Sequence, residues 1–255
     1  MLSAERRIEL VRLVREEGVG EVSELARLMD VSPSTVRRDL TFLEKAGTLV
    51  RVHGGAVLTT AADGPTDEPG PGERRQEHPR EKDELADAAA RLVEPGSTVL
   101  ITGGTTSEAL VRRLDQVPGL TVVTNSLTIA TLLSDRPDIN VVVLGGYLRH
   151  GENSLLGHLT RLAMAELSVD QAIVTTYGIG RHGLTGANIA EADTDRFLLQ
   201  SVARIVVLAD GSKFARSGGI RIVGPERVST VVTDGSAPRE ELDALREQGI
   251  EVVLA

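Results

Sequence analysis

Arg37 and Arg38 stand beside Ser34, Thr35 and Thr41 in the run SPSTVRRDLTFLEK. Arginine takes phosphates or guanine edges, and serine or threonine can take either, so this set suits the major groove of a duplex. At about 100° per residue, Val36, Leu40 and Leu43 fall on one side of a helix, and Ser34, Arg37, Arg38 and Thr41 on the other. Ser32 suits the N-cap and Pro33 the first helical position. For two isolated arginines an ordinary solvated helix face would explain as much. The surrounding text separates the two readings. Helical patterns over Ser3–Glu17, Ser23–Met29 and Ser32–Ala46, then a glycine-ended hairpin carrying Arg51 and His53, give the order of a winged helix-turn-helix. The expected contacts to double-stranded operator DNA are Ser32, Ser34, Thr35, Arg37, Arg38, Thr41, Arg51 and His53.

A second set of chemically capable residues follows short apolar runs. VLIT leads into Gly103-Gly104-Thr105-Thr106-Ser107, VVT into Asn125-Ser126, and VVVL into Gly145-Gly146. IVTTY leads into Gly178-Ile179-Gly180, and VVLAD into Gly211-Ser212-Lys213. One glycine-rich turn is usually only a turn. Five at strand ends indicate a small-molecule crevice, because open α/β sheets bind ligands at their carboxyl edge. In GGTTSEAL the glycines admit close approach, the hydroxyls donate, and a helix N-terminus favours an anion. Lys213 would add a full positive charge. The expected effector contacts are Gly103, Gly104, Thr105, Thr106, Ser107, Asn125, Ser126, Gly145 and Lys213, around a phosphate or carboxylate.

The elements that must position these residues alternate from Glu81 onward. Strands are expected at Thr98–Thr102, Thr121–Thr124, Asn140–Leu144, Gln171–Thr175, Ile205–Ala209, Thr230–Thr233 and Glu251–Leu254. Helices are expected at Asp83–Val93, Ser107–Gln116, Ser126–Ser134, Leu155–Leu167, Ala190–Val202 and Arg239–Gln248. That alternation predicts an α/β domain with a mainly parallel sheet. Between Leu58 and Arg80 the text is rich in proline and glycine and has no apolar period, which is linker composition. The expected division is therefore a winged helix-turn-helix at 1–57, a linker at 58–80, and an effector-sensing α/β domain at 81–255.

The net charge of −9 is unequally spread over the 255 residues. Residues 1–57 hold nine basic and nine acidic side chains, and the remainder holds 19 and 28. Within 32–57 the basic Arg37, Arg38, Lys45 and Arg51 outnumber the acidic Asp39 and Glu44. A modest basic patch on an acidic body binds DNA weakly as one copy, so a homo-oligomer, dimer or tetramer, is expected. The absence of cysteine excludes disulfides, thiolate metal sites and cysteine nucleophiles, and fits a cytoplasmic protein. No apolar run approaches the ~18 residues of a membrane span. The five histidines lack metal-ligand spacing, so neither metal nor cofactor is expected.

The run SPSTVRRDLTFLEKAGTLVRVHGGAV resembles the signature of DeoR-type bacterial transcription regulators. That signature maps onto Val31, Ser32, Thr35, Val36, Arg37, Arg38, Asp39, Leu40, Leu43, Glu44, Arg51, His53, Gly54, Gly55 and Ala56. The likeness continues at Glu81-Lys82, Gly104-Thr105-Thr106, Thr124-Asn125-Ser126, Leu144-Gly145-Gly146, Gly183, Thr185 and Ser212-Lys213-Phe214. It implies a sensor like ribose-5-phosphate isomerase and glucosamine-6-phosphate deaminase in fold, and a phosphorylated effector. The expected function is sequence-specific repression of carbohydrate or related metabolic genes, without catalysis. The chain departs from the family at Thr102, where an aspartate is usual, and at Asp195, where a lysine is usual.

Two enzymatic alternatives are weaker. Gly178-Ile-Gly-Arg-His-Gly183 spells a dinucleotide fingerprint, but LTGAN follows it instead of a helix start. An isomerase or deaminase needs a positioned base. Glu191, Asp193, Asp195 and Asp210 offer carboxylates, but their spacing singles out none of them.

Overall fold

The structure is a computed structural model that describes residues 6, 7, 9, 10, 13, 20–45, 49–52, 55–58, 69–115 and 117–255. The chain forms two compact units. In the first, residues 6, 7, 9, 10 and 13 are helical. They precede β1 (Gly20–Glu21), α1 (Val22–Leu28), α2 (Pro33–Lys45), β2 (Leu49–Val52) and β3 (Gly55–Leu58). The strands form an antiparallel sheet in the order β1-β3-β2. Between α1 and α2 the chain turns through Asp30 at φ 51°, a left-handed conformation that aspartate tolerates. Ser32 then caps α2, its hydroxyl accepting from the Thr35 amide at 3.2 Å.

Leu10, Leu25, Val36, Leu40 and Leu43 bury together and give the three helical pieces one core. Asp39 ties the first helical residues to α2. It is 1% exposed and accepts from Arg6 Nε at 2.5 Å and Arg7 Nε at 3.0 Å. Burial alone would raise its pKa, but the two arginine hydrogen bonds outweigh it and hold the carboxyl below its ordinary value. The guanidinium of Arg7 also lies 3.5 Å from the ring centre of Phe42. Asp39 in the RRD run is thus a structural residue that leaves the two arginines before it to solvent.

The second unit opens with α3 (Pro71–Arg74) and α4 (Pro79–Ala90). Within the span 58–80 expected as linker, Leu58 ends β3, and residues 71–74 and 79–80 are helical. Pro71 and Pro79 begin helices, where a missing N–H costs nothing, and composition alone reads such prolines as spacer.

Seven strands then build a parallel sheet. They are β4 (Thr98–Ile101), β5 (Thr121–Thr124), β6 (Asn140–Val143), β9 (Gln171–Thr175), β12 (Arg204–Leu208), β14 (Thr230–Thr233) and β15 (Glu251–Leu254). Their order across the sheet is β15-β14-β12-β9-β4-β5-β6. The helices are α5 (Thr105–Val111), α6 (Leu127–Leu133), α7 (His158–Ala165), α8 (Ile189–Gln200) and α9 (Arg239–Glu247). Alternate residues of one strand serve opposite cores. Ile205 and Val207 face a cluster shared with Met164, Leu198 and Leu245, while Val206 and Leu208 face one shared with Leu85, Leu110 and Ile129. Burial on both faces explains why these strands read as unbroken apolar runs.

Two antiparallel additions were not expected from the sequence. One is the hairpin β7 (Tyr147–Arg149) with β8 (Ser154–Leu156), so the helix predicted from Leu155 starts only at His158. The other joins β10 (Gly178–Gly180), β11 (Gly183–Gly186) and β13 (Ile220–Val223). No described helix is long and apolar enough to cross a membrane.

Candidate functional site

On α2 the two faces separate as the 100° periodicity predicts. Val36, Leu40 and Leu43 are buried, while Ser34, Arg37 and Arg38 are exposed. Ser32 Oγ lies 2.8 Å from both Ser34 Oγ and Thr35 Oγ1, so the three hydroxyls form one cluster at the helix start. Thr41 is less available, because its hydroxyl donates to the Arg37 carbonyl at 2.8 Å. Arg51 lies on β2 of the wing, though its side chain is outside the described residues, as is the whole of His53. What remains is an exposed, capped helix end with two guanidinium groups over a tight core. That arrangement can enter a groove as a rigid body.

The second site follows from the strand order. After β4 the chain adds β5 and β6 on one side, and then β9, β12, β14 and β15 on the other. The connections leaving β4 and β9 therefore part in opposite directions, and a crevice opens above their carboxyl ends. A cleft lies there, lined by Gly104, Thr105 and Thr106 after β4, Thr175 and Thr176 at β9, and Asp210, Ser212 and Lys213 after β12. Gly104 sits at φ +133°, and a Cβ on it would lie 2.2 Å from Thr175 Oγ1. Only glycine fits this position. Thr175 in turn donates to the Gly103 carbonyl at 2.8 Å, which locks the two loops together.

The fourth wall comes from the segment read as linker and from Lys82 just after it. Arg74, Glu77, His78 and Lys82 line the same cleft. Arg74 pairs with Glu152, and Arg75 grips Glu108 of α5 through two hydrogen bonds of 2.7 and 2.8 Å. Lys82 is only 7% exposed and donates to the carbonyls of Arg74 and Glu77. Burial lowers the pKa of its ammonium; among the nearby charges, Asp210 opposes that shift and Lys213 adds to it. Three cations thus converge with five hydroxyl side chains around one opening. A compact polyhydroxylated anion suits that chemistry.

Of the nine residues expected to hold an effector, Gly104, Thr105, Thr106 and Lys213 line the cleft. Gly103, Ser107, Asn125, Ser126 and Gly145 do not. Ser126 caps α6, accepting from the Ile129 amide at 3.3 Å, and the Gly145 carbonyl accepts from Thr160 Oγ1 at 2.6 Å. Asn125 donates to the Leu155 carbonyl at 3.2 Å, and Ser107 is fully buried. For Asn125, Ser126 and Gly145 the physical reason is strand order, since β5 and β6 lie beyond β4, away from β12. Gly103 is turned to Thr175 through its carbonyl, and Ser107 is buried within α5. Sequence reasoning matched Lys82 only as part of a motif, and it passed over Arg74, Thr175 and Thr176. A signal was present in the basic residues beside Pro71 and Pro79, had those prolines been read as helix starts.

The dinucleotide-like run resolves into packing. Gly178–Gly180 and Gly183–Gly186 are two strands of a hairpin, and a Cβ on Gly178 or Gly183 would strike the Arg216 or Val223 carbonyl. Neither departure from the family pattern lines the cleft. Thr102 is buried after β4, and Asp195 lies on α8 with its carboxyl pushed up to about 8 by burial and then by Glu191. Among the described residues, no group of His, Asp and Glu could hold a metal ion.

Both units have counterparts among known proteins. The profile described as DeoR-like helix-turn-helix domain matches residues 6–62, and that described as DeoR C terminal sensor domain matches residues 77–235. The chain is 31% identical to the HTH-type transcriptional repressor CsqR of Escherichia coli K12, over 98% of this chain and 94% of that protein. It is 29% identical to the glycerol-3-phosphate regulon repressor of the same strain, over 100% of both. Among solved structures, ribose 5-phosphate isomerase A of Methanocaldococcus jannaschii is similar at a TM-score of 0.39 and 18% identity, covering 52% of this chain and 53% of that one.

Proposed function

The chain belongs to the DeoR family of DNA-binding transcription regulators, and from that premise we propose that it represses carbohydrate or related metabolic genes until a phosphorylated metabolite binds the switch-point cleft. The protein is a regulator, not an enzyme, as its relatives are. In the proposed complex Arg37 and Arg38 reach bases or phosphates, and Ser32, Ser34, Thr35, Thr41, Arg51 and His53 support them. We place it in the cytoplasm, as a homo-oligomer whose paired heads read two half-sites.

One observation carries the effector half of this reading: Arg74, Lys82 and Lys213 line one cleft together with Gly104, Thr105 and Thr106. Charge-assisted bonds to a phosphate outweigh neutral ones, and a sugar's hydroxyls would meet Thr175, Thr176, Ser212 and Asp210. The other five residues expected from sequence, Gly103, Ser107, Asn125, Ser126 and Gly145, support the loops in this proposal. A sugar phosphate is the class that fits.

Calorimetry with a phosphorylated sugar and its unphosphorylated parent tests the assignment. The phosphorylated ligand should bind at least about tenfold more tightly, since hydrogen bonds to charged groups contribute about 1.5–3 kcal/mol each. Lys213→Met, which removes the charge and keeps the bulk, should shrink that preference and leave operator affinity without ligand unchanged. Equal affinity of the wild-type protein for both ligands would remove phosphate from the account.

A further inference from the structure

The cleft's cations do more than face a ligand. Lys82 lies on α4, and its ammonium is spent on two carbonyls, those of Arg74 and Glu77. Those carbonyls belong to the segment through which the chain enters the sensor unit. Arg74 itself reaches Glu152 beyond β7, and Arg75 reaches Glu108 on the helix that carries Thr105 and Thr106. The segment ends at His78, which holds a left-handed φ of 50° just before Pro79. A non-glycine residue there persists only while its surroundings hold it. The ammonium therefore touches both the opening and the backbone of its wall.

We propose that Lys82 is a latch: an anion entering the cleft takes its ammonium from the Arg74 and Glu77 carbonyls and so frees the 74–78 segment to rearrange. This rests on the cleft binding a phosphorylated ligand, and it adds how occupancy leaves the site. The exchange conserves charge and protons. The ammonium keeps its three hydrogens and trades two carbonyl acceptors for phosphate oxygens. The low exposure of Lys82 favours the trade, since a buried ammonium gains more from a dianion than from two neutral carbonyls. The lowered pKa of this ammonium points the same way, because a phosphate beside it would stabilise the charged form that burial disfavours.

Hydrogen exchange on the full chain, with and without saturating inorganic phosphate, tests the latch. Phosphate should protect the 104–106 amides and speed exchange across 74–78 by about tenfold, the effect of losing roughly one to two hydrogen bonds. Lys82→Met should exchange fast at 74–78 without phosphate and change no further with it. Lys82→Arg, which can still donate to both carbonyls, should return exchange to the slow wild-type rate and keep the assay readable if the methionine variant is poorly folded. Protection at 104–106 with unchanged exchange at 74–78 would overturn the latch and leave the binding site standing. No protection at 104–106 would overturn both.

Discussion

Replacing Arg37 and Arg38 together with alanine should lower operator affinity by about a hundredfold or more at fixed salt, each base contact being worth roughly 1–3 kcal/mol. The fold should survive this change. Both side chains are exposed, while Asp39 between them and the core is held by Arg6 and Arg7. The melting temperature should therefore stay within the range of ordinary surface substitutions. The single variants separate the roles. An arginine reading a guanine should relax specificity at one position, whereas one holding a phosphate should weaken all sequences alike and flatten the salt dependence. Fluorescence anisotropy with matched and mismatched duplexes distinguishes the two. A double variant that binds as the wild type does would remove α2 as the reading element.

Gly104→Ala should be strongly damaging to the sensor. The new Cβ would meet Thr175 Oγ1 at 2.2 Å, and the backbone stands at φ +133°, where side chains are strained whatever the space. Thr175 cannot swing aside freely, because its hydroxyl is bonded to the Gly103 carbonyl. Strain and overpacking each cost about 1–3 kcal/mol, so a loss of about 2 kcal/mol or more is expected in urea unfolding, with a lower midpoint at unchanged slope. Ligand affinity should fall with it, since relief requires the loops of β4 and β9 to part. Thr175→Ala in the same chain should recover part of the stability by removing the clash, but none of the backbone strain. Wild-type stability and wild-type ligand affinity in Gly104→Ala would show that this close approach does not shape the cleft.

The DNA-binding half was legible because its signals are local. The cap at Ser32, the proline at Pro33 and the period through Val36, Leu40 and Leu43 are all contained within twelve residues. The strands were legible too, because burial on both faces leaves apolar runs such as Ile205–Leu208 unbroken. Strand order was not, since no local pattern states that β4 lies between β9 and β5. That order decides which loops meet: it brings Gly104 and Lys213 to one opening, and leaves Asn125 and Gly145 elsewhere. The wall from Arg74 to His78 was hidden for a different reason. Prolines that begin helices look like spacer when read by composition, so residues that line the cleft passed for linker. The β7–β8 hairpin was missed because Leu155 and Leu156 continue the apolar text of the following helix.

The account's central claim is that occupancy of the sensor cleft controls the grip of α2 on DNA. The most direct measurement is operator affinity of the full chain, by fluorescence anisotropy on a duplex from upstream of its own gene, across a titration of sugar phosphate. A coupling of about 1–3 kcal/mol predicts a change of roughly 5–150-fold with the phosphorylated ligand, and none with its unphosphorylated parent. A ligand that binds the sensor by calorimetry yet leaves operator affinity unchanged would contradict the claim.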